Sequence, residues 1–382
     1  MNPMMNNFSR LLAMKADNEL AGQTTKYLKD LAAPEWVKRY LEITRKNAID
    51  SVLMSTAMFC GRMDVMDYLL DHGLGNSLIK SGKGNILMWA AAHSGRIDIM
   101  DYLLYHGLAN IYIRDKKGFT LMHIAAIGGH LAIIKLLMER GLDINVVDVN
   151  NDELNGRTPL HSAAMLGQIN SIKYLASLGA KIDTRDSHTF SPMHSAVVTN
   201  KIESIRCLKE LGLDVNVRDE DGFTPISMAA GYTKGERVEC IKCLVDLGAD
   251  IEAKDNDGMT PFFWAVRVGN IESIKCLASF GADVNAADNE GKTPIFLAPI
   301  IDNVETIKCL AEIGVDIDVK LKGGATPIFG AAAAGKIASM KCLKDLGAKL
   351  DTRDNQGRTI TDFAAKFGQA EAMEWLRVNG GK

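Results

Sequence analysis

The sequence has no apolar run long enough to cross a membrane. Its longer apolar stretches, such as residues 295–301, fall far short of the roughly 20 residues that a bilayer requires. The first 20 residues carry charged side chains between Arg10 and Glu19 and lack the continuous apolar core of a secretory signal peptide. We therefore expect a soluble, cytoplasmic protein that has no membrane partner.

An excess of charge of either sign is also missing. The 382 residues include 44 basic and 47 acidic side chains, which gives a formal net charge of −3. A general electrostatic attraction to nucleic acid is therefore not indicated, and we expect no nucleic-acid partner. Because the chain exceeds the size of one ordinary hydrophobic core, we expect either several domains or a repeat array.

Motifs for catalysis, metal binding and disulfide formation are absent. The sequence contains no G-x-S-x-G, H-E-x-x-H or G-x-x-x-x-G-K-[ST]. Cys240 and Cys243 form an isolated C-x-x-C, whereas a structural zinc site usually needs four ligands. The seven cysteines are an odd number, which favours a reducing compartment. We therefore expect no enzyme activity, catalytic residue, metal, cofactor or small-molecule substrate.

A ladder of glycines dominates the sequence. Ten glycines each follow an apolar, helix-like stretch at spacings of 33 to 38 residues: Gly73, Gly107, Gly141, Gly179, Gly212, Gly248, Gly281, Gly314, Gly347 and Gly380. A fixed period of this length is the sequence signature of a repeat array. The spacing predicts about ten repeated units.

Each unit also has its own starting signal, a hydroxyl residue followed by proline. The signal occurs six times: Thr158-Pro159, Ser191-Pro192, Thr224-Pro225, Thr260-Pro261, Thr293-Pro294 and Thr326-Pro327. The hydroxyl can cap the free N–H groups of a helix, and proline is favoured at the first helical position. Residues 158–179 then predict a short first helix, a second helix and a stop at Gly179, followed by an extended finger.

These residues resemble the ankyrin repeat. Its signature T-P-L-H-x-A-A is matched by residues 158–164, and several ladders agree in register over roughly residues 50–382. The resemblance implies an all-α repeat solenoid, an ankyrin-repeat array of stacked helix-turn-helix units with finger-like β-turn loops. We assign residues 50–382 to this ankyrin-repeat domain and residues 1–49 to an N-terminal helical capping segment, with a separate binding arm as the alternative role for residues 1–49.

The repeated histidines, aspartates and cysteines have structural interpretations. His123, His161 and His194 occupy the family's signature slot, which implies that they link neighbouring loops. Aspartates recur at one finger position and are expected to form turns rather than an acid–base pair: Asp115, Asp148, Asp186, Asp219, Asp255, Asp288 and Asp354. The repeated second-helix cysteines should be buried and, on helices about 8–10 Å apart, too distant for disulfides.

The slots that the repeat leaves free should hold the binding residues. The finger slot before the hydroxyl residue should be exposed, and it is apolar in four of its first five members. Together with the free slots after the Ala-Ala pair, it gives the candidate partner-binding residues Phe119, Ile127, Met165, Leu166, Phe190, Val198, Phe223, Tyr232, Met259, Arg267 and Val268. Exposed apolar rows are typical of interaction surfaces. Packing of these residues on neighbouring fingers is the alternative interpretation.

The resemblance and the free slots together predict a non-enzymatic scaffold. It would bind a protein or peptide partner on the concave ankyrin surface, along an apolar stripe within residues 119–268. Two other functions stay open at this point. The chain could be the targeting subunit of an enzyme complex, or a bacterial effector-type ankyrin protein that acts on host proteins.

Overall fold

The computed structural model describes residues 57, 63–71, 83–149, 156–231 and 237–380. The predicted capping segment, residues 1–49, lies outside this part of the chain, and so does Tyr232 of the candidate surface. The chain divides into two compact units, unit 1 up to Val146 and unit 2 from Val147 onward.

Unit 1 contains five of the described helices. They are α1 (Met63–Asp71), α2 (Lys83–Ser94), α3 (Ile97–Tyr105), α4 (Leu121–Gly128) and α5 (Leu131–Glu139). Helix α2 packs against both α3 and α4, and α4 packs against α5. The unit therefore repeats one arrangement, in which a first helix pairs with its own second helix and with the next first helix.

Unit 2 has the same arrangement within itself, in seven helix pairs. These are α6 (Pro159–Leu166), α7 (Ile169–Ser177), α8 (Pro192–Val198), α9 (Ile202–Glu210), α10 (Pro225–Gly231), α11 (Val238–Asp246), α12 (Pro261–Val268), α13 (Ile271–Ser279), α14 (Pro294–Ile300), α15 (Val304–Glu312), α16 (Pro327–Ala333), α17 (Ile337–Asp345), α18 (Ile360–Lys366) and α19 (Ala370–Asn379). First helices pack on first helices and second helices on second helices along the unit.

The sequence signals for helix ends have the predicted effect. At α6 the Thr158 side chain and the N3 residue His161 form a reciprocal capping box, and Pro159 occupies the first helical position. The helix stops at Gly167, whose φ of 76° lies in the left-handed region. Gly179, at the end of the second helix, has a φ of 90°. The glycine ladder therefore marks backbone positions that a residue with a Cβ would strain.

The core lies between the two helical layers. Ala163 and Ala164 are fully buried and, being small, allow adjacent first helices to approach closely. Ile172 and Leu175 bury the inner face of the second helix. Beyond the helices, the described residues contain no strand, only isolated antiparallel bridges across two finger turns. The predicted fold class, an all-α array of helix-turn-helix units with finger-like turns, is confirmed.

Candidate partner-binding surface

Most fingers are closed by the repeated aspartate. In the finger of Asp219, one carboxylate oxygen accepts hydrogen bonds from the backbone N–H groups of Asp221 at 3.0 Å and Phe223 at 2.7 Å. Asp186 makes the same pair of bonds to His188 and Phe190. The aspartates are therefore turn formers, as the sequence predicts. Their carboxylates also fix the backbone of the slot residue that precedes each first helix.

The signature histidines hold the same finger residue through its backbone carbonyl. The backbone N–H of Thr158 donates to Nδ1 of His161 at 3.1 Å, so the proton of this ring lies on Nε2. Nε2 then donates to the carbonyl of Phe190, in the next finger, at 2.9 Å. His194 reaches Phe223 in the same way at 3.3 Å. The two fingers are thus held in place before any partner arrives.

Burial makes His194 an unsuitable acid or base. The ring is fully buried, and desolvation lowers the pKa of His194 from 6.5 to about 4. It is therefore neutral at neutral pH and already uses both nitrogens in structural hydrogen bonds. This arrangement agrees with a linking role for the signature histidines.

Most of the candidate residues have partly accessible side chains. In unit 1, Phe119 and Ile127 are half-buried. In unit 2, the half-buried members are Met165, Phe190, Val198, Phe223 and Val268, and the exposed members are Leu166 and Arg267. These residues therefore leave partly accessible apolar atoms open to solvent in each unit rather than fully exposed rings.

Met259 is the exception, and the prediction that it is exposed is wrong. Its side chain is only 7% exposed, although the same slot is half-buried at Phe190 and Phe223. A guanidinium nitrogen of Arg267 lies 3.6 Å from the sulfur of Met259. The long side chain of Arg267 therefore covers the thioether, and Arg267 itself becomes the exposed surface at this position.

Phe190, Val198 and Phe223 line one cleft in unit 2, which we call the aromatic cleft. It has a volume of about 310 Å³, and Met228 of α10 and Trp264 of α12 complete its apolar wall. The ring centres of Phe223 and Trp264 are 4.7 Å apart. The volume is at the low end of the roughly 300–1,000 Å³ typical of ligand pockets.

Trp264 was not among the predicted residues. Its Nε1 donates to Asp255 at 2.6 Å, and the guanidinium of Arg267 lies 4.6 Å from its ring centre. These contacts fix the indole at the edge of the cleft. The sequence does carry a signal that could have revealed Trp264. The position between the signature histidine and the Ala pair changes its residue type from repeat to repeat, as expected of a position that the repeat leaves free: Ile124, Ser162, Ser195, Met228, Trp264, Leu297 and Gly330.

A second cleft, which we call the isoleucine cleft, lies one repeat further along unit 2. Its volume is about 610 Å³, and its lining includes Met259, Arg267, Ile300 and Ile301. Ile300 and Ile301 are 38% and 42% exposed. Met165, Leu166 and Val268 lie outside both clefts. The structure therefore gathers five of the predicted residues into two neighbouring clefts, with Arg267 beside Trp264 at their boundary.

The finger tips beside the two clefts are tied to one another. The backbone N–H of Asn256 donates to the carbonyl of Asp221 at 3.0 Å, and its side-chain amide donates to Glu220 at 2.8 Å. Asn289 repeats both bonds one finger further along, to Asp257 and Asn256. This ladder keeps the rim of the clefts rigid, so little conformational entropy would be lost on binding.

The cysteines take no part in this surface. The described cysteines are free and buried, including Cys240 and Cys243 of the C-x-x-C. Burial raises the pKa of Cys240 to about 12, so its thiol stays protonated at neutral pH. Among the described residues, no group of three or more His, Cys, Asp or Glu side chains could hold a metal ion.

Comparison with known proteins identifies the family. The family of ankyrin repeats (3 copies) matches residues 87–186, 226–320 and 300–381, which together make up more than half of the chain, and that of ankyrin repeats (many copies) matches residues 193–245. The chain therefore belongs to the ankyrin-repeat family, whose members generally mediate protein–protein interactions.

A solved structure agrees with this assignment. The ankyrin repeat domain of Bcl-3, described as a unique member of the IkappaB protein family, is 25% identical with a TM-score of 0.51, over 58% of this chain and 99% of that one. The human ASB11 ankyrin repeat domain is 26% identical with a TM-score of 0.49, over 57% and 97%. No sequence among the curated proteins matches the chain. None of the described helices is long and apolar enough to span a membrane.

Proposed function

We propose that this chain is a non-enzymatic scaffold that holds a segment of a protein partner in the aromatic and isoleucine clefts. The observation that carries the proposal is the aromatic cleft itself. Phe190, Phe223 and Trp264 keep apolar surface accessible on a backbone that is fixed by hydrogen bonds. Aromatic residues with a preformed pocket are characteristic of the centres of protein interfaces.

The chemistry of the surface supports binding rather than catalysis. The repeated carboxylates and imidazoles already serve as acceptors and donors for the fingers. An acid–base pair would need two groups in unlike environments, whereas these groups occupy one repeated environment. The partner is therefore proposed to be a protein or peptide and not a small-molecule substrate.

The remaining predicted residues are proposed as further partner contacts. Leu166, at the end of α6, is 45% exposed and offers the most accessible apolar side chain among them. Met165, the residue before it in sequence, is half-buried. Val268, which occupies the equivalent last position of α12, is also half-buried. In unit 1, Phe119 and Ile127 occupy the corresponding slots and are also half-buried.

Site-specific photo-cross-linking tests the proposed surface. The photoreactive residue benzoylphenylalanine would replace Val198 or Met228, which both line the aromatic cleft. Phe280 is the matched control, because it is 39% exposed and ends the second helix α13. In extract of the source cells, we expect the two cleft positions to cross-link to the same peptide of one partner, identified by mass spectrometry. Cross-links from Phe280 with none from the cleft would refute the surface.

The same experiment separates the broader alternatives. A catalytic subunit as the cross-linked partner would support a targeting subunit of an enzyme complex. A protein of a host cell would support an effector. We also propose that the protein is cytoplasmic, because free cysteines favour a reducing compartment. Cell fractionation would test this localisation.

A further inference from the structure

Carboxylates surround the aromatic cleft. Asp219, Glu220 and Asp221 form one side of it, directly beside Phe223. Among the described residues that line this cleft there is no lysine or arginine, and His188 is the one potential cation. The cleft therefore combines an apolar wall with a negatively charged rim.

The acidic rim is particular to this finger. The two residues that follow the turn-forming aspartate differ along the chain: Lys116-Lys117, Ser187-His188, Glu220-Asp221, Asn256-Asp257, Asn289-Glu290 and Asn355-Gln356. Of these six residue pairs, only Glu220-Asp221 consists of two acidic residues. Both side chains are exposed. The turn of this finger uses the carboxylate of Asp219, so the charges of Glu220 and Asp221 are available for another purpose.

The charges on the rim repel one another. Burial raises the pKa of Asp219, and the neighbouring carboxylates of Asp221 and Glu220 raise it further, against the lowering effect of its backbone hydrogen bonds. Nδ1 of His188 lies 3.6 Å from a carboxylate oxygen of Glu220, and the described lining of the cleft includes no lysine or arginine. A cation that entered the cleft would relieve this repulsion, so the rim favours positively charged ligands.

The aromatic wall has the same preference. The guanidinium of Arg267 already lies over one side of Trp264, 4.6 Å from the ring centre. A cation near an aromatic face is stabilised by the negative charge of the π-system. The ring of Phe223, 4.7 Å from that of Trp264, extends this surface toward the acidic finger. Apolar contact and negative potential therefore coincide in one cleft.

We propose that the aromatic cleft binds a lysine or arginine side chain of the partner, presented by a segment with an apolar residue next to it. The methylene stem would lie on Phe223 and Trp264, and the charged group would reach Glu220 and Asp221. An adjacent apolar side chain would fill the part lined by Val198 and Met228. This inference rests on the proposed function and specifies the chemistry of the partner segment.

Peptide selection with the full-length chain tests this inference. The probe is a phage library of random dodecapeptides, and selected sequences are resynthesised and titrated by fluorescence anisotropy. We expect lysine or arginine next to a large apolar residue in the selected peptides. The double variant Glu220→Gln/Asp221→Asn should weaken their binding about tenfold, because it removes both negative charges that would face the basic side chain. Exchange of the arginine for citrulline should weaken binding similarly.

Two further variants separate the inference from the proposed function. Glu203→Gln/Glu272→Gln removes the same charge from exposed positions of the second helices α9 and α13, and should leave binding unchanged. Val198→Arg places a fixed bulky cation in the cleft and should abolish binding, while the thermal melt shows that the fold persists.

The outcomes then have distinct meanings. If no basic peptide is enriched, or if the rim variant binds as tightly as the wild type, the inference is overturned. In that case, loss of binding in Val198→Arg would leave the proposed function standing. If binding is indifferent to Val198→Arg as well, the proposed function is overturned together with the inference.

Discussion

Two parts of unit 2 build the same repeat with different interactions. In the histidine part, residues 158–223, a buried ring donates a hydrogen bond to the next finger, as His161 does to Phe190 at 2.9 Å. In the phenylalanine part, residues 260–333, the same slot holds apolar rings. Three phenylalanines occupy it, Phe263, Phe296 and Phe329, and all are buried. The backbone of the repeat is therefore compatible with either a directional link or apolar packing.

The aromatic cleft lies between the repeats that have histidine in this slot and the repeats that have phenylalanine there. Ser227 occupies the slot in α10, between the two parts, and its hydroxyl bonds to Thr224 at 3.0 Å within its own helix start. The cleft opens around this helix, with Phe190 and Phe223 on the histidine side and Trp264 on the phenylalanine side. The change of slot residue therefore coincides with the position of the aromatic cleft.

The largest effect is expected in the phenylalanine part. Phe329→Ala should lower the free energy of unfolding by about 3–5 kcal/mol, because it leaves a cavity in a packed core. Phe329 is only 1% exposed, and its ring lies 5.1 Å from that of Phe363 in an edge-to-face contact. Hydrogen exchange of α16 and α18 is the measurement, since repeat arrays need not unfold in one step.

A matched control for this prediction is Phe367→Ala. Phe367 ends α18 and is 53% exposed, so its loss should change stability by no more than about 0.5 kcal/mol. Equal effects of the two substitutions would show that burial of the ring does not stabilise this part of the repeat.

The histidine part should respond to pH, and the phenylalanine slots should not. The unfolded chain binds a proton at His194 near the ordinary pKa of 6.5, whereas the folded chain does so only near about 4. Within this window the unfolded state binds more protons, so stability is complete above pH 6.5 and falls as the pH is lowered toward 4. The loss should reach about 3 kcal/mol.

Chemical denaturation across this pH range checks the prediction locally. His194→Gln is the informative variant, because glutamine can still donate to the carbonyl of Phe223 but cannot take up a proton. Its stability should depend less on pH than that of the wild type, by the amount assigned to His194. An unchanged pH slope in the variant would assign the effect to other groups.

Replacement of a slot histidine by phenylalanine compares the hydrogen-bonded slot with the apolar slot directly. His161→Phe should lower the free energy of unfolding by about 1–3 kcal/mol, because it removes the donor to a half-enclosed carbonyl at Phe190 and the capping bond at Thr158. Denaturant midpoints of the wild type and the variant measure this. A variant as stable as the wild type would mean that apolar packing alone suffices in either part.

The sequence predicted the repeat well because the repeat depends on local signals. Capping at Thr158, the stop at Gly179 and the turn at Asp219 each involve neighbours a few residues away, and all three form as expected. The candidate surface was predicted less completely, because exposure depends on contacts between elements. Arg267 lies eight residues from Met259 and covers it. Trp264 was missed because its importance comes from its contacts with Phe223 and Asp255.

The smallest expected effect compares equivalent carboxylates in the two parts. Asp221 has like-charged neighbours in its finger, so Asp221→Asn should raise the melting temperature slightly. Glu290, in the phenylalanine part, pairs with Lys292 at 2.5 Å, so Glu290→Gln should lower it slightly or leave it unchanged. Differential scanning calorimetry of both variants at low salt measures the sign. If Asp221→Asn lowers the melting temperature instead, the acidic rim stabilises the fold, and its charges are not free for a partner.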